Sequence, residues 1–287
     1  RNMKNHFFIS MLAAAALLGG LTACNGKLDK APRADQVPEN AVRITASIGN
    51  PFTATRSMPL GTEEEQGKFN VGDEIFVRTA SSQRATYHFD GTAWVPKEGE
   101  YLLWKEDMEH FDAYYPAESG ENPYVHPTDQ SSTEKIAKAD LMSVELDQAK
   151  TKEALHFTMY RETTRLIVEI AGFKSEFPGD AKVENVRFHN KSNASAPQRT
   201  YIPYAKGEGK TGSTYTVLVP GDAAHNTISL EVGGKTMTAK LSRITYDSGL
   251  SYTYRLTVGK EKLETTEVTV SDWTGSAVIP GGEAEAN

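Results

Sequence analysis

The sequence predicts an all-β protein: two antiparallel β-sandwich domains in tandem behind an export leader. The prediction rests on short runs in which apolar and polar residues alternate, and on Gly, Asp, Asn and Pro clusters that separate those runs. No sustained helical period competes with them. Many short strands between turns close a core by packing sheet against sheet. The chain has 287 residues, 38% of them hydrophobic and 24% charged, which leaves room for two domains of about 100–150 residues after the leader. The expected division is a leader over residues 1–23, a tether over 24–40, a first domain over 41–150 and a second over 151–287.

The leader comes first in order. Lys4 precedes a run through Phe7, Phe8, Ile9, Leu12, Ala13 and Leu18, and small residues lead to Cys24. A positive start, a short apolar run and a small-residue exit form an export signal. The run falls short of the roughly 18 or more apolar residues of a stable membrane span. Leu21-Thr22-Ala23-Cys24 resembles the bacterial lipobox, whose cysteine thiol receives a diacylglyceryl group and, after cleavage, a further acyl chain such as palmitate. Cys24 is the single cysteine, so no partner for a disulfide exists within the chain. The alternative is an ordinary secretory signal that ends in an incidental thiol. Lipid on Cys24 would hold the protein at the outer membrane, since acyl chains contribute about 0.8 kcal/mol per buried methylene.

Residues 25–40 are polar, contain almost nothing to bury and read as a tether. Val42, Ile44, Ala46 and Ile48 then alternate with Arg43, Thr45 and Ser47, which predicts a strand with one buried face. Thr55-Arg56 follows in a polar stretch, where an arginine is open to a protease. Further strands are expected at Ile75 to Val77, on both sides of Asp90-Gly91, at Tyr101 to Trp104 and at His110 to Tyr115. A two-residue turn at Asp90-Gly91 would set Phe89 against Thr92 and Tyr87 against Trp94. Ser132 to Lys138 reads as one helical turn.

In the second domain Leu155, Phe157 and Met159 alternate, as do Leu166, Val168 and Ile170, which predicts two neighbouring strands joined at Arg161 to Thr163. Strands are expected around Val186 and Phe188, and from Tyr215 to Val219. A two-residue turn at Gly233-Gly234 would place Leu230 opposite Met237 and Ile228 opposite Ala239. Tyr252 to Val258 and Val268 to Val270 complete the unit, with the tail 274–287 after it.

Composition and motifs argue against catalysis. Without the leader's Arg1 and Lys4 the 31 basic residues fall to 29 against 38 acidic ones, a balance of −9 that speaks against nucleic acid as a partner. Gly207 to Ser213 imitates a phosphate loop, but Tyr204 stands where its first glycine belongs. Neither a Gly-x-Ser-x-Gly elbow nor His-Glu-x-x-His occurs. His88 and Asp90 flank a turn and read as surface residues. No enzyme activity, metal or cofactor is therefore expected. Trp94 and Trp104 pose the alternative of stacking on sugar rings, against the simpler reading of aromatics in a sandwich core.

The order of parts resembles the fimbrillin-like lipoproteins of anaerobic Gram-negative bacteria, the family of major and minor fimbrial subunits. The resemblance is carried by Cys24 and its lipobox, the Ile44 strand ahead of Thr55-Arg56, and Val71-Gly72-Asp73-Glu74-Ile75. It continues through His156-Phe157-Thr158-Met159 with Arg165-Leu166-Ile167-Val168, then Tyr254 to Val258 and Val268 to Trp273. It implies transthyretin-like Greek-key sandwiches, surface display on a fimbrium, and adhesion through an unnamed ligand. It also implies assembly with other fimbrial subunits by strand exchange. Cleavage after Arg56 would free the strand carrying Val42, Ile44, Ala46 and Ile48, and a neighbour's strand would take its place. The candidate donor in this chain is Ala277, Val278 and Ile279. Pro280-Gly281-Gly282 ends that apolar run early, which leaves tip, accessory and anchor roles open beside the shaft. A surface glycan-binding lipoprotein of a nutrient-uptake system is the alternative function.

Overall fold

In a computed structural model the described residues are 37–49, 68–97, 99–121, 124–191, 195–221, 224–241, 246–259, 263–272 and 277–280, with 224–225, 263–272 and 277–280 described as backbone only. Cys24 and Arg56, expected to carry the lipid and the protease cut, lie outside them. The described residues form one compact unit. No helix among the described residues is long and apolar enough to cross a membrane.

The first core is enclosed by one sheet. Its strands are β1 (Ile44–Ile48), β2 (Glu74–Thr79), β3 (Arg84–Phe89), β4 (Trp94–Pro96), β5 (Met108–Tyr115), β6 (Met142–Ala149) and β7 (Leu155–Arg161), in the order β1-β7-β6-β5-β2-β3-β4. Alternation explains the sides: Ile75 and Val77 of β2 are fully buried, whereas Arg78 is exposed. The residues before β1 join the segment after β4, for Ala41 bridges to Leu103 and the Val42 amide donates to the Leu102 carbonyl at 2.7 Å. Phe111 packs edge-on between Trp104 (5.4 Å) and Phe157 (6.3 Å) at the centre. Tyr101 to Trp104 is thus a bridging segment and not a full strand.

The second core lies between two sheets. β8 (Thr163–Phe173), β11 (Tyr204–Lys206), β12 (Thr214–Pro220), β15 (Leu250–Val258), β16 (Leu263–Asp272) and β17 (Ala277–Pro280) form one, ordered β11-β12-β8-β15-β16-β17. β9 (Glu184–Lys191), β10 (Arg199–Tyr201), β13 (Ala224–Val232) and β14 (Lys235–Lys240) form the other, ordered β10-β9-β13-β14. Leu166, Val168, Phe188, Ile228, Tyr252 and Tyr254 meet between them. The Gly233-Gly234 turn has the expected register, Leu230 facing Met237 and Ile228 facing Ala239. Both glycines have positive φ, 58° and 80°, as a primed turn requires.

Some expectations are corrected. Asp90-Gly91 is not a two-residue loop: Phe89 faces Trp94 and Tyr87 faces Pro96. The Asp90 carboxylate accepts from the Thr92 and Ala93 amides, each at 2.7 Å, and this side-chain turn spans Asp90 to Ala93. β7 and β8 are not neighbours in one sheet. β7 pairs with β1 and β6, so the first sheet reaches Arg161, past the division expected at 150. Ladders are mostly antiparallel, but β1 with β7 and β8 with β15 are parallel, which the long excursions between those strands permit.

A polar joint links the two cores. α1 (Thr133–Ala137) is capped by Ser132, whose hydroxyl accepts from the Lys135 amide, and it buries Ile136. Ile136 and Ala139 pack on Leu218 of β12. Buried Gln130 clamps the same residue, its Nε2 donating to the Leu218 carbonyl and its Oε1 accepting from the Leu218 amide, both at 2.8 Å. His126 is buried against Tyr201, with Nε2 3.1 Å from the Ala139 carbonyl and Nδ1 unpaired. Burial pushes its pKa down from 6.5 to about 4, so the folded ring is neutral. Below pH 6.5 the unfolded chain takes up a proton that the folded chain refuses until about pH 4, so this residue costs stability progressively across that window. Chemical unfolding at both ends of the window is expected to show that His126→Phe retains about 3 kcal/mol more of its stability than the parent on acidification.

Candidate functional site

The first strand has the properties of a removable part. Val42, Ile44 and Ile48 are buried and Ala46 packs on the same core, while Thr45 and Ser47 face outward. Such burial contributes about 1.5–3 kcal/mol for each large side chain. β1 lies in parallel register on β7, Ile44 beside Leu155, Ala46 beside Phe157 and Ile48 beside Met159. The Gly49 amide donates to the Met159 carbonyl at 2.7 Å and ends the ladder. Outside, the Thr45 and Ser47 hydroxyls sit 3.0 and 2.8 Å from the two ring nitrogens of His156. Inside, the hydroxyl of fully buried Tyr87 donates to the Val42 carbonyl at 3.0 Å and accepts from the Leu102 amide at 3.3 Å.

β1 is the terminal strand of its sheet, and β7 supplies its single ladder. Its removal would expose the edge of β7 and a groove floored by Leu155, Phe157 and Met159. A cut anywhere in residues 50–67, where Arg56 lies, leaves β1 attached to the body only by these noncovalent contacts.

The candidate donor is in place on its own molecule. Ala277, Val278 and Ile279 lie in β17, antiparallel to β16, with Ala277 beside Val270 and Ile279 beside Val268. β17 is the terminal strand of a different sheet from β1, so the structure does not bring the two together.

Trp94 and Trp104 are not a sugar platform. They are only 7% and 4% exposed, because Trp94 packs edge-on with Phe69 (5.0 Å) and Trp104 with Phe111 (5.4 Å) in the first core. Asp90 is engaged in its turn. Sequence reasoning did not single out His110, Asp112 and Glu145, whose ligand atoms lie within 4.8 Å of one another on the outer face of β5 and β6. Two-residue spacing on β5 was the available signal. Two of the three are engaged with other side chains: His110 bonds Asp147 at 2.8 Å, and Asp112 accepts from Arg78 at 2.8 Å. The Asp147 carboxylate, followed by Asp112, raises the His110 pKa despite burial.

The geometry defines a class: an all-β protein of tandem modules whose leading strand is the terminal strand of its sheet. A profile described as fimbrillin-like matches residues 59–273, and the chain belongs to that family. Membership places it among structural adhesion proteins and not among enzymes. No curated protein matches it. Among solved structures, a candidate cell adhesion protein of Bacteroides ovatus is similar at 13% identity and a TM-score of 0.58, covering 83% of this chain and 99% of its own. One from Bacteroides uniformis is similar at 15% identity and a TM-score of 0.54, covering 83% and 100%. The fimbrial anchor protein Mfa2 from Porphyromonas gingivalis is more distant, at 10% identity and a TM-score of 0.44, covering 84% and 99%. At these identities the likeness speaks to fold.

Proposed function

We propose that this chain is a fimbrial subunit, in a shaft, tip, accessory or anchor position, that acts in cell adhesion. It is exported as a lipoprotein, held at the outer membrane through Cys24, and assembled with other subunits by strand exchange. Cleavage after Arg56 releases β1, and a strand from a neighbouring subunit enters the groove on β7. The observation that carries this reading is the terminal position of β1, with Val42, Ile44 and Ile48 buried and a single ladder to β7. Once β1 leaves, an apolar groove and an unpaired edge lie open together, and one incoming strand satisfies both. The family match supports the fimbrial and adhesive part of the reading. The division into modules follows the two cores, and β17 is the donor on release from β16.

Incubating the purified precursor with an arginine-specific protease tests the proposal. The expected result is a new amino terminus at Ser57 and conversion of monomer to polymer. Cleavage elsewhere with the product remaining monomeric would contradict it.

A further inference from the structure

The outer face of the first sheet holds a cleft apart from β1. About 520 Å³ in volume, it lies between the β2–β3 ribbon and the end of the 3-10 helix Ala117–Gly120, and Phe76, Arg78, Ser82, Arg84 and Glu121 line it. A second hollow of about 290 Å³ adjoins it, sharing Phe76, Arg84 and Glu121 and adding Lys97 and Glu100. Arg78 and Arg84 are direct cross-strand partners. Like charges placed opposite each other on neighbouring strands are unfavourable.

The two guanidiniums differ in their surroundings. Arg78 is held over the Tyr114 ring at 5.2 Å, its Nε donating to Asp112 at 2.8 Å and its Nη2 to the Tyr114 hydroxyl at 2.9 Å. Such fixing pre-orients a cation for a ligand. Arg84 has no counter-ion among the described residues. Lys97, the other cation nearby, is paired with Glu74 at 2.8 Å. One positioned and one unneutralised arginine, opposed on β2 and β3 and both lining the cleft, can each meet one oxygen of a carboxylate.

We propose that this cleft binds an acidic sugar residue, its carboxylate between Arg84 and Arg78, its ring beside Phe76, and its hydroxyls toward Ser82 and Glu121. Ring-sized ligands suit a cleft of this volume. An extended acidic peptide suits it less, because β2 pairs on both sides, with β3 and β5, and offers no edge for strand addition. Assembly through β1 and binding here are separable.

Calorimetric titration of the exported chain with a glucuronate-terminated oligosaccharide and with its glucose-terminated counterpart tests the site. Saturable binding of the acidic sugar alone is expected, weakened by about tenfold or more in Arg84→Gln and unchanged in Lys240→Gln. Thermal unfolding of Arg84→Gln should match the parent, since Arg84 makes no hydrogen bond or ion pair that folding needs. Equal binding of both sugars, indifference to Arg84→Gln, or stronger competition by an aspartate-rich peptide than by free glucuronate would overturn the proposal.

Discussion

A chain that begins at Ser57, the product of cleavage after Arg56, is expected to lose about 5–9 kcal/mol of stability when β1 is separated from it, and to regain most of it when a synthetic peptide of residues 37–49 is added. The estimate takes Val42, Ile44 and Ile48 at about 1.5–3 kcal/mol each, and it is an upper figure because unfolded chains already bury some apolar surface. Losses beyond side-chain burial point the same way. Tyr87, fully buried, loses the Val42 carbonyl that its hydroxyl bonds, and the β7 ladder loses its partner. Domains are stable by about 5–15 kcal/mol in total, so the truncated first module should be marginal or open. That instability is what makes a replacement strand bind. Urea unfolding followed by near-ultraviolet circular dichroism, with and without peptide, measures the effect. A truncated chain with the parent's midpoint would show that β1 does not close the core.

The second large effect is expected at the joint. Asp140 and Arg161 are buried together, Nε lying 3.1 and 3.2 Å from the two carboxylate oxygens and Nη2 3.2 Å from one of them. A second guanidinium stands nearby: Arg165 donates to the Ser251 hydroxyl at 2.9 Å, and burial, followed by the charge of Arg161, pulls its pKa down to about 10. Asp140→Ala removes the carboxylate that pairs with Arg161 and whose charge also supports Arg165. Breaking such a pair costs about 3–5 kcal/mol, whereas replacing both partners by apolar residues of similar volume is often close to neutral. Asp140→Ala should therefore be severely destabilised, and Asp140→Leu with Arg161→Met should recover most of the loss in a double-mutant cycle by urea unfolding. A single variant within about 1 kcal/mol of the parent would remove this pair from the account of what joins the modules.

How far the chain could be read before folding depended on whether a feature is local. Val42 to Ile48 alternates with period two, and the structure buries Ile44 and Ile48 in the first core. Gly233-Gly234 set its own register because two adjacent glycines admit few turns. Ser132 to Lys138 read as one helical turn, and the structure places α1 there with Ser132 as its cap. The failures were nonlocal. Periodicity described Leu155 to Met159 and Leu166 to Ile170 equally well as strands, but carried no information on which sheet each joins. Trp94 and Trp104 looked the same in sequence whether they faced solvent or core; packing on Phe69 and Phe111 decided it. The joint drew on His126, Gln130, Asp140, Arg161 and Leu218, residues far apart in sequence whose pairing only the fold creates. The acidic-sugar cleft was hidden for the same reason, because Arg78 and Arg84 become neighbours only through the β2–β3 register.

The most direct test of the central claim is a lock on β1. Ser47 and Thr158 are register partners on the outer face of β1 and β7, so Ser47→Cys with Thr158→Cys can be joined by a disulfide without entering the core. After cleavage by an arginine-specific protease, the oxidised variant is predicted to stay monomeric, and reduction is predicted to restore polymerisation at the parent's rate. Polymerisation of the oxidised variant as fast as the reduced one would contradict the exchange of this strand.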